Sequence, residues 1–177
     1  MGNRRSASFI QRLQNRFFAI PAVAQWWAGR FVRGAASSAD GPIPFARLTK
    51  PLAECTVALI TTGGVHLTSQ PPFDMADPDG DASLREIPSD VALAELTITH
   101  DYYNHTSADR DVNVVFPLER IRELAQQGVI GRVAARHFGL MGHIEGKHLV
   151  RLQAKTAPEI AAKLRADGVD FAFLTPA

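Results

Sequence analysis

Three short segments of the sequence carry side chains that can bind a ligand or move a proton, and two of them also contain glycines. They span residues 62–66, 100–105 and 141–143; the first two follow strand patterns, and the third follows an apolar turn. Paired glycines let a ligand approach the backbone closely, while imidazole, carboxyl and phenol groups suit proton transfer. Ligands of open parallel sheets bind beyond the carboxyl ends of the strands, so the pattern predicts one small-molecule site. The predicted substrate-binding residues are Thr62, Gly63, Gly64, His66, His100, Asp101, Tyr102, His105, Met141, Gly142 and His143.

The same three segments can also be explained without a ligand. Residues 62–66 would then be a tight turn, and residues 141–143 a glycine-rich turn with a solvated histidine. Residues 100–105 would be a surface loop whose His and Asp side chains cap nearby backbone groups. The histidine spacing in this loop matches no zinc pattern, so we predict no metal there.

An acidic loop at residues 74–81 suggests calcium at first sight, because oxygen ligands stand at alternate positions. An EF-hand loop needs glycine at the sixth position, whereas here glycine is fourth, counted from Asp77. Asx turns that hold a long loop are the favoured interpretation, with Arg85 paired to an acid. We therefore predict no metal and no visible cofactor in this chain.

The sequence offers no obvious covalent nucleophile. Its one cysteine, Cys55, stands at the start of an apolar strand pattern and is predicted to be a core residue. A reactive thiol needs partial exposure and a lowered pKa, which such a position does not supply. One cysteine cannot form an intramolecular disulfide, and this is consistent with a reducing, cytoplasmic location.

Strand patterns alternate with helix patterns after residue 50. The predicted strands are 55–61, 96–100, 112–116 and 169–174, with a short strand or turn at 138–142. Helices are predicted at 117–128 and 156–168, the second capped by Thr156. This alternation predicts an α/β domain with a mainly parallel sheet, a Rossmann-like three-layer arrangement, incomplete at its C-terminus.

The first 40 residues differ from the rest in charge. Of the 177 residues, 46% are hydrophobic and 21% charged, and the net charge of +1 does not favour nucleic acid as a partner. Residues 1–39 hold six arginines and no acid, and apolar residues recur at helical spacing. We therefore predict a basic amphipathic helical arm with a linker at 1–40 and an α/β domain at 41–177. The arm would contact a membrane surface or a partner groove, or, as favoured, pack on its own domain or a dimer mate.

Eight motifs occur together in a fixed order along the sequence. They include VALITTGGVH and HDYYNH, and they lie at residues 50–52, 57–66, 70–74, 77–81, 85–88, 100–105, 111–118 and 174–176. Together they resemble the selenoprotein B family of the glycine, sarcosine, betaine and D-proline reductases. The resemblance begins near residue 43 and leaves the arm outside.

The resemblance implies reductive cleavage of a C–N bond in an amino acid or its N-methylated derivative. In that family a selenocysteine, or a cysteine in some members, is the nucleophile, and it lies just beyond the Leu-Thr-Pro motif. Here the motif is Leu174-Thr175-Pro176, so the reactive residue is expected directly after Ala177. Because UGA encodes selenocysteine and is also read as a stop, we expect UGA as the next codon. The 177-residue chain alone is expected to be inactive.

Two functions remain open at this point. The first is an enzyme, the N-terminal part of a reductase subunit whose partners are an amino-acid-like substrate, other reductase subunits or a thiol reductant protein. The second is a non-catalytic α/β module that binds a ligand or a partner. No run of about 18 apolar residues is present, so a membrane is not an expected partner.

Overall fold

The computed structural model describes residues 46–177. Contacts divide the chain into two compact units, and the larger one comprises Leu48–His100 and His105–Ala177. The short segment Asp101–Asn104 groups instead with Met1–Arg47. The predicted helical arm at 1–40 lies outside the described residues.

The larger unit contains both strands and helices, as predicted. The strands are β1 (Thr56–Thr61), β2 (Val65–Leu67), β3 (Arg85–Pro88), β4 (Leu96–Ile98), β5 (Arg132–Val133), β6 (Arg136–Gly139) and β7 (Phe171–Thr175). The α-helices are α1 (Leu118–Gln126), α2 (Gly146–Arg151) and α3 (Ala157–Ala166). Short 3-10 turns lie at Leu52–Glu54, Leu93–Glu95 and Val112–Val114, and a π-helical turn, Leu152–Thr156, joins α2 to α3.

β1 is the centre of the main sheet. β7 pairs with it in parallel along one side, and β5 and β6 follow each other in parallel along its other side. β3 pairs antiparallel with β6, and β2 and β4 form a separate antiparallel pair. The α/β class is therefore confirmed, whereas the Rossmann-like three-layer arrangement stays a prediction.

The burial of β1 explains its continuous apolar sequence, because its side chains are covered on both faces. Val57 lines an apolar groove together with Ile121 of α1, whereas Ile60 packs on a cluster that includes Ile160 of α3. Cys55, just before β1, is fully buried, with Sγ 3.3 Å from the Pro51 carbonyl oxygen. Its prediction as a core residue is confirmed.

The strand predicted at 112–116 is wrong. Its β-branched residues form instead the 3-10 turn Val112–Val114, which Asp111 caps by accepting a hydrogen bond from the Asn113 amide at 3.0 Å. Such a local side-chain bond offers the backbone an alternative to a sheet ladder. Val115 and Phe116 are buried directly after this turn, which accounts for the apolar pattern.

The prediction of Thr156 as a helix cap is also wrong. Its backbone is helical, with φ −64° and ψ −47°, because the chain enters α3 from the preceding π-helical turn. The buried hydroxyl donates instead to the Ala82 carbonyl oxygen at 2.7 Å. Thr156 therefore ties the start of α3 to the segment before β3.

Replacing Thr156 with valine should lower the free energy of unfolding by about 1–3 kcal/mol, because the buried Ala82 carbonyl loses its donor while the shape is kept. Thr156→Ser is the matched control, since it retains the hydroxyl. Urea unfolding of the two variants and the parent chain measures the difference. Equal stability of Thr156→Val and the parent would show that this hydrogen bond contributes nothing.

Within residues 46–177, none of the helices has the length and apolar character needed to cross a membrane.

Candidate functional site

Three parallel strands bring their carboxyl ends together at one edge of the main sheet. The segment after β1 is bonded to β7, since the Thr62 amide donates to the Thr175 carbonyl oxygen at 3.0 Å. It is also bonded to the segment after β6, because the amide of Leu140 donates to the Thr61 oxygen at 2.8 Å and that of Gly64 to the Leu140 oxygen at 2.9 Å. The first and third predicted segments therefore meet at this edge.

Two threonines at the strand ends fix this arrangement. The hydroxyls of Thr61 and Thr175 both donate to the Val115 carbonyl oxygen, at 2.8 and 2.7 Å. Thr61 Oγ1 also accepts from the Gly63 amide at 3.0 Å. The ends of β1 and β7 are thereby tied to the segment that leads into α1. Sequence patterns did not single out this network, because the donors and the acceptor are far apart in the chain.

The chain after β7 runs along the same loop. The Ala177 amide donates to Thr62 Oγ1 at 3.3 Å. Together with the bond between the Thr62 amide and Thr175, this contact places Pro176 and Ala177 beside the glycine-rich turn. Residues 174–177 are thus part of the cluster at the strand ends.

His100 reaches this cluster through close contacts with two glycines. The Thr99 amide donates to the Gly64 carbonyl oxygen at 2.9 Å, which places His100 against the turn. A Cβ atom on Gly142 would lie 3.1 Å from His100 Nε2 and 2.4 Å from the Thr62 carbonyl oxygen. Gly142 also has φ +99°, a conformation that side chains disfavour. Glycine at 142 therefore lets the Thr62 carbonyl and the His100 ring converge.

His100 is held in its neutral form at neutral pH. The residue is only 5% exposed, and burial together with nearby His105 and His143 lowers its pKa to about 4. Burial disfavours the charged imidazolium, and neighbouring positive charge adds to that effect. An anion placed beside the ring would act in the opposite direction and raise the pKa.

His66 is built into the fold next to this cluster. Its Nδ1 lies 2.8 Å from the Leu67 carbonyl oxygen and its Nε2 lies 2.8 Å from Thr99 Oγ1. The ring is nearly fully buried, contacts the Phe73 ring edge to face, and has a pKa lowered mainly by burial. With both ring nitrogens bonded, His66 is suited to position Thr99 and hence His100.

The other predicted residues take several places. His143 Nε2 lies 2.8 Å from the Pro78 carbonyl oxygen, and His105 Nδ1 lies 2.9 Å from Asp109. Met141 is fully buried. Asp101 and Tyr102 belong to the smaller unit. The structure therefore brings together residues 62–64, His100 and Gly142 by direct contacts, and places His105 and His143 near enough to affect the charge of His100.

The acidic loop is held by Asx turns. Asp74, Asp77 and Asp81 each accept a hydrogen bond from the amide two residues ahead, at 2.8, 3.0 and 2.7 Å. Asp77 also pairs with Lys147 and His148, and these partners hold the pKa of its carboxyl well below the usual range. The carboxylates of the loop thus serve local structure and its contact with α2.

Arg85 supports the same loop through neutral groups. It donates to the carbonyl oxygens of Pro71 and Pro72, and its guanidinium lies 4.4 Å from the centre of the Phe73 ring. Among residues 46–177, no group of three or more His, Cys, Asp or Glu side chains could hold a metal ion.

The sequence assigns the chain to a known protein family. The chain belongs to the glycine/sarcosine/betaine reductase selenoprotein B family, whose model matches residues 37–177. The resemblance inferred from the eight motifs is thus confirmed.

Named relatives are subunits of reductases. The chain is 36% identical over 134 residues to the D-proline reductase subunit gamma of Acetoanaerobium sticklandii, a match covering 76% of this chain and 53% of that protein. It is 30% identical to the glycine reductase complex component B subunit gamma of Carboxydothermus hydrogenoformans, covering 71% of this chain and 29% of that one. It is 31% identical to the betaine reductase complex component B subunit beta of Peptoclostridium acidaminophilum, covering 75% and 30%.

The matches thus span about half of the D-proline reductase subunit and about a third of the other two. No solved structure matches the chain.

Proposed function

We propose that this chain is the N-terminal part of a selenium- or thiol-dependent reductase subunit. Its reaction is the reductive cleavage of a C–N bond in an amino acid or an N-methylated derivative. Membership of the family and the names of the relatives, which are reductase subunits for D-proline, glycine and betaine, support this proposal. They also support other reductase subunits as partners.

The position of Ala177 is the observation that carries the proposal. Its amide contacts Thr62 Oγ1, and the Thr62 carbonyl lies beside Gly142 together with the His100 ring. From the resemblance we expect the reactive selenocysteine or cysteine directly after Ala177. A residue joined there would start next to His100 and the glycine-rich turn, where the sequence predicts the substrate.

The neutral state of His100 suits this chemistry. A selenolate or thiolate beside the ring is an anion, and it would raise the lowered pKa of His100 toward neutral values. The imidazolium could then protonate the amine that leaves as the C–N bond breaks. The nucleophile's electron pair forms the new bond to carbon, and a second thiol later attacks the selenium or sulfur. The carbon atom then takes up a proton, and the selenium or sulfur of the nucleophile is left bonded to the sulfur of the second thiol. A dithiol protein reduces this bond.

The environment of the reaction follows from the same residues. Selenolate chemistry needs a reducing compartment, and the buried, unpaired Cys55 is consistent with one. We therefore place the subunit in the cytoplasm, where a thiol reductant protein would supply the electrons. The cofactor-like element in this proposal is the selenocysteine itself.

The nucleotide sequence after the Ala177 codon is the first test. We expect UGA followed by a continuing open reading frame with a cysteine-containing segment. A different stop codon, or no continuing frame, would contradict the selenocysteine. A stable 177-residue product that binds ligands in the cell would favour the alternative, a non-catalytic binding module.

Replacing His100 with glutamine in the complete translated product should lower kcat by about 100-fold or more, because the leaving amine loses its proton donor. The assay follows cleavage of D-proline, glycine, sarcosine and betaine with a dithiol reductant. His148→Gln is the matched control, since His148 pairs with Asp77 in the acidic loop and should leave kcat near the parent value.

Two results separate the parts of this proposal. An active parent protein whose His100→Gln variant is equally active would exclude His100 from the reaction. A complete, folded parent product that cleaves none of the four substrates would contradict the reductase function itself.

A further inference from the structure

We propose that a groove beside β4 binds a small amino-acid zwitterion. The groove has a volume of about 390 Å³ and lies between Leu93–Ile98 on one side and the segment 108–112 on the other. This volume is in the range of small-molecule sites. None of its lining residues belongs to the cluster at the strand ends, so the site is separate from the proposed reductase centre.

The groove offers a cation for a carboxylate. Arg110 lines it and is exposed, and its backbone amide donates to the Ser107 carbonyl oxygen. Within residues 46–177, the Arg110 guanidinium makes no hydrogen bond and no ion pair. An arginine fork binds a carboxylate through two parallel hydrogen bonds, which gives both energy and orientation.

Two carboxylates flank this arginine. Asp111 receives both of its hydrogen bonds from Asn113 at Oδ1, and Asp109 contacts His105 through Oδ2. Each carboxylate thus keeps one oxygen that makes no hydrogen bond within the described part of the chain. Amides of the segment donate back to the carbonyl oxygens of His105 and Ser107, so the backbone that carries the charges is already held in place.

The floor of the groove is apolar. Leu96 and Ile98 of β4 are half-buried, and Ala108 opposite them is buried. A ligand with a carboxylate, an ammonium group and a short hydrocarbon part satisfies the arginine, the aspartates and this floor at once. A simple anion would be repelled by the aspartates, and a simple cation by Arg110, so the combination favours a zwitterion. Proline has this chemistry.

The test is a titration of the isotope-labelled 177-residue chain with proline, followed by NMR. Saturable shifts are expected at the amides of residues 96–98 and 108–112. Acetate and pyrrolidine carry the two charges separately and should bind much more weakly. N-acetylproline methylamide, which lacks both charges, should not bind.

Arg110→Gln should weaken proline binding by about tenfold or more, since a hydrogen-bonded charge pair is lost. Arg165→Gln is the matched control, because Arg165 is exposed on α3 and does not line the groove. Equal affinity of Arg110→Gln and the parent would overturn the proposal. So would the absence of saturable shifts up to about 50 mM proline, a very weak affinity.

The location of the shifts separates this site from the reductase centre. Proline shifts confined to residues 62–64, His100 and Gly142 would refute the groove while supporting the strand-end cluster. Shifts confined to the groove would support the zwitterion site even if the complete protein shows no reductase activity.

Discussion

Gly64→Ala should be among the most damaging single-methyl changes in this domain, while Gly128→Ala should be mild. The two glycines have nearly the same backbone conformation, with φ +71° and +72°. Alanine in this left-handed region costs about 1–2 kcal/mol at either position. The comparison therefore removes the backbone effect and leaves the effect of crowding.

Crowding differs sharply between the two positions. A Cβ atom on Gly64 would lie 2.4 Å from the Thr99 carbonyl oxygen and 2.9 Å from His100 Cβ, whereas nothing lies within 4 Å of one on Gly128. The Thr99 oxygen belongs to the backbone directly after β4, so it cannot move unless that segment moves with it. Overpacking of this kind adds about 1–3 kcal/mol, so Gly64→Ala should cost about 2–5 kcal/mol in total.

Urea unfolding measures both variants, and the His100 ring reports on the site. Because Gly64→Ala should push His100 away from its buried position, the pKa of that histidine should rise from about 4 toward its ordinary value. Gly128→Ala should leave it unchanged. Equal losses of stability in the two variants would mean that the contact between Gly64 and residues 99–100 does not constrain the fold.

The position of Gly64 shows what the sequence could predict. Paired glycines after an apolar strand pattern predict that a ligand can approach the backbone closely at the carboxyl end of β1, and the structure shows the Thr99 carbonyl oxygen close to Gly64. The neighbour that approaches, the Thr99–His100 segment, could not be predicted, because it depends on the pairing of β2 with β4. Residue types selected the candidate residues, and long-range pairing determined which of them meet.

The errors have a related cause. The strand pattern at 112–116 was overridden by a hydrogen bond that Asp111 accepts from the Asn113 amide, a local competition that hydrophobic periodicity does not detect. Thr156 lies four residues before Ile160, where the apolar helix face begins and a cap is expected before it, yet its hydroxyl donates to the distant Ala82 carbonyl. A pattern cannot indicate which partner a polar side chain will find elsewhere in the fold.

His137 is a polar residue of the core whose role the sequence did not indicate. It lies fully buried on β6, and its Nδ1 accepts a hydrogen bond from the Leu59 amide at 3.0 Å. The ring therefore supplies the hydrogen-bond acceptor for the backbone of β1 at the point where its neighbouring strand changes from β5 to β6. Its Nε2 is buried and has no hydrogen-bond partner among the described residues.

The protein should lose stability as the pH falls from about 6.5 to 4, and His137 should be a main cause. Burial and nearby Arg122 lower its pKa to about 4, and protonation at Nδ1 would also break the bond to Leu59. In the unfolded chain a histidine takes up its proton near pH 6.5. Between these values the unfolded state binds one more proton, so unfolding becomes easier by about 1.4 kcal/mol per pH unit.

Between pH 6.5 and 4, the neutral state of His137 therefore contributes about 3 kcal/mol to the free energy of unfolding. This contribution is fully present above pH 7 and is lost by pH 4. His100 has a pKa lowered in the same way and acts in the same direction. The carboxyls of Asp77 and Glu86 have lowered pKa values too, and their contribution begins to fade only as the pH nears their ordinary pKa values of 3.8 and 4.5. The loss of stability above about pH 5 therefore comes from the buried histidines, including His66, whose pKa is also lowered mainly by burial.

His137→Gln tests this assignment, because glutamine can accept from the Leu59 amide and takes up no proton. Its free energy of unfolding should depend less steeply on pH than that of the parent chain, by nearly one proton between pH 6.5 and 4. His100→Gln should flatten the curve as well, and the double variant should combine both effects, because His137 bonds to the Leu59 amide whereas His100 lies beside Gly142. Parallel curves for His137→Gln and the parent would show that the imidazole is charged in the native core, and the neutral hydrogen bond to Leu59 would have to be abandoned.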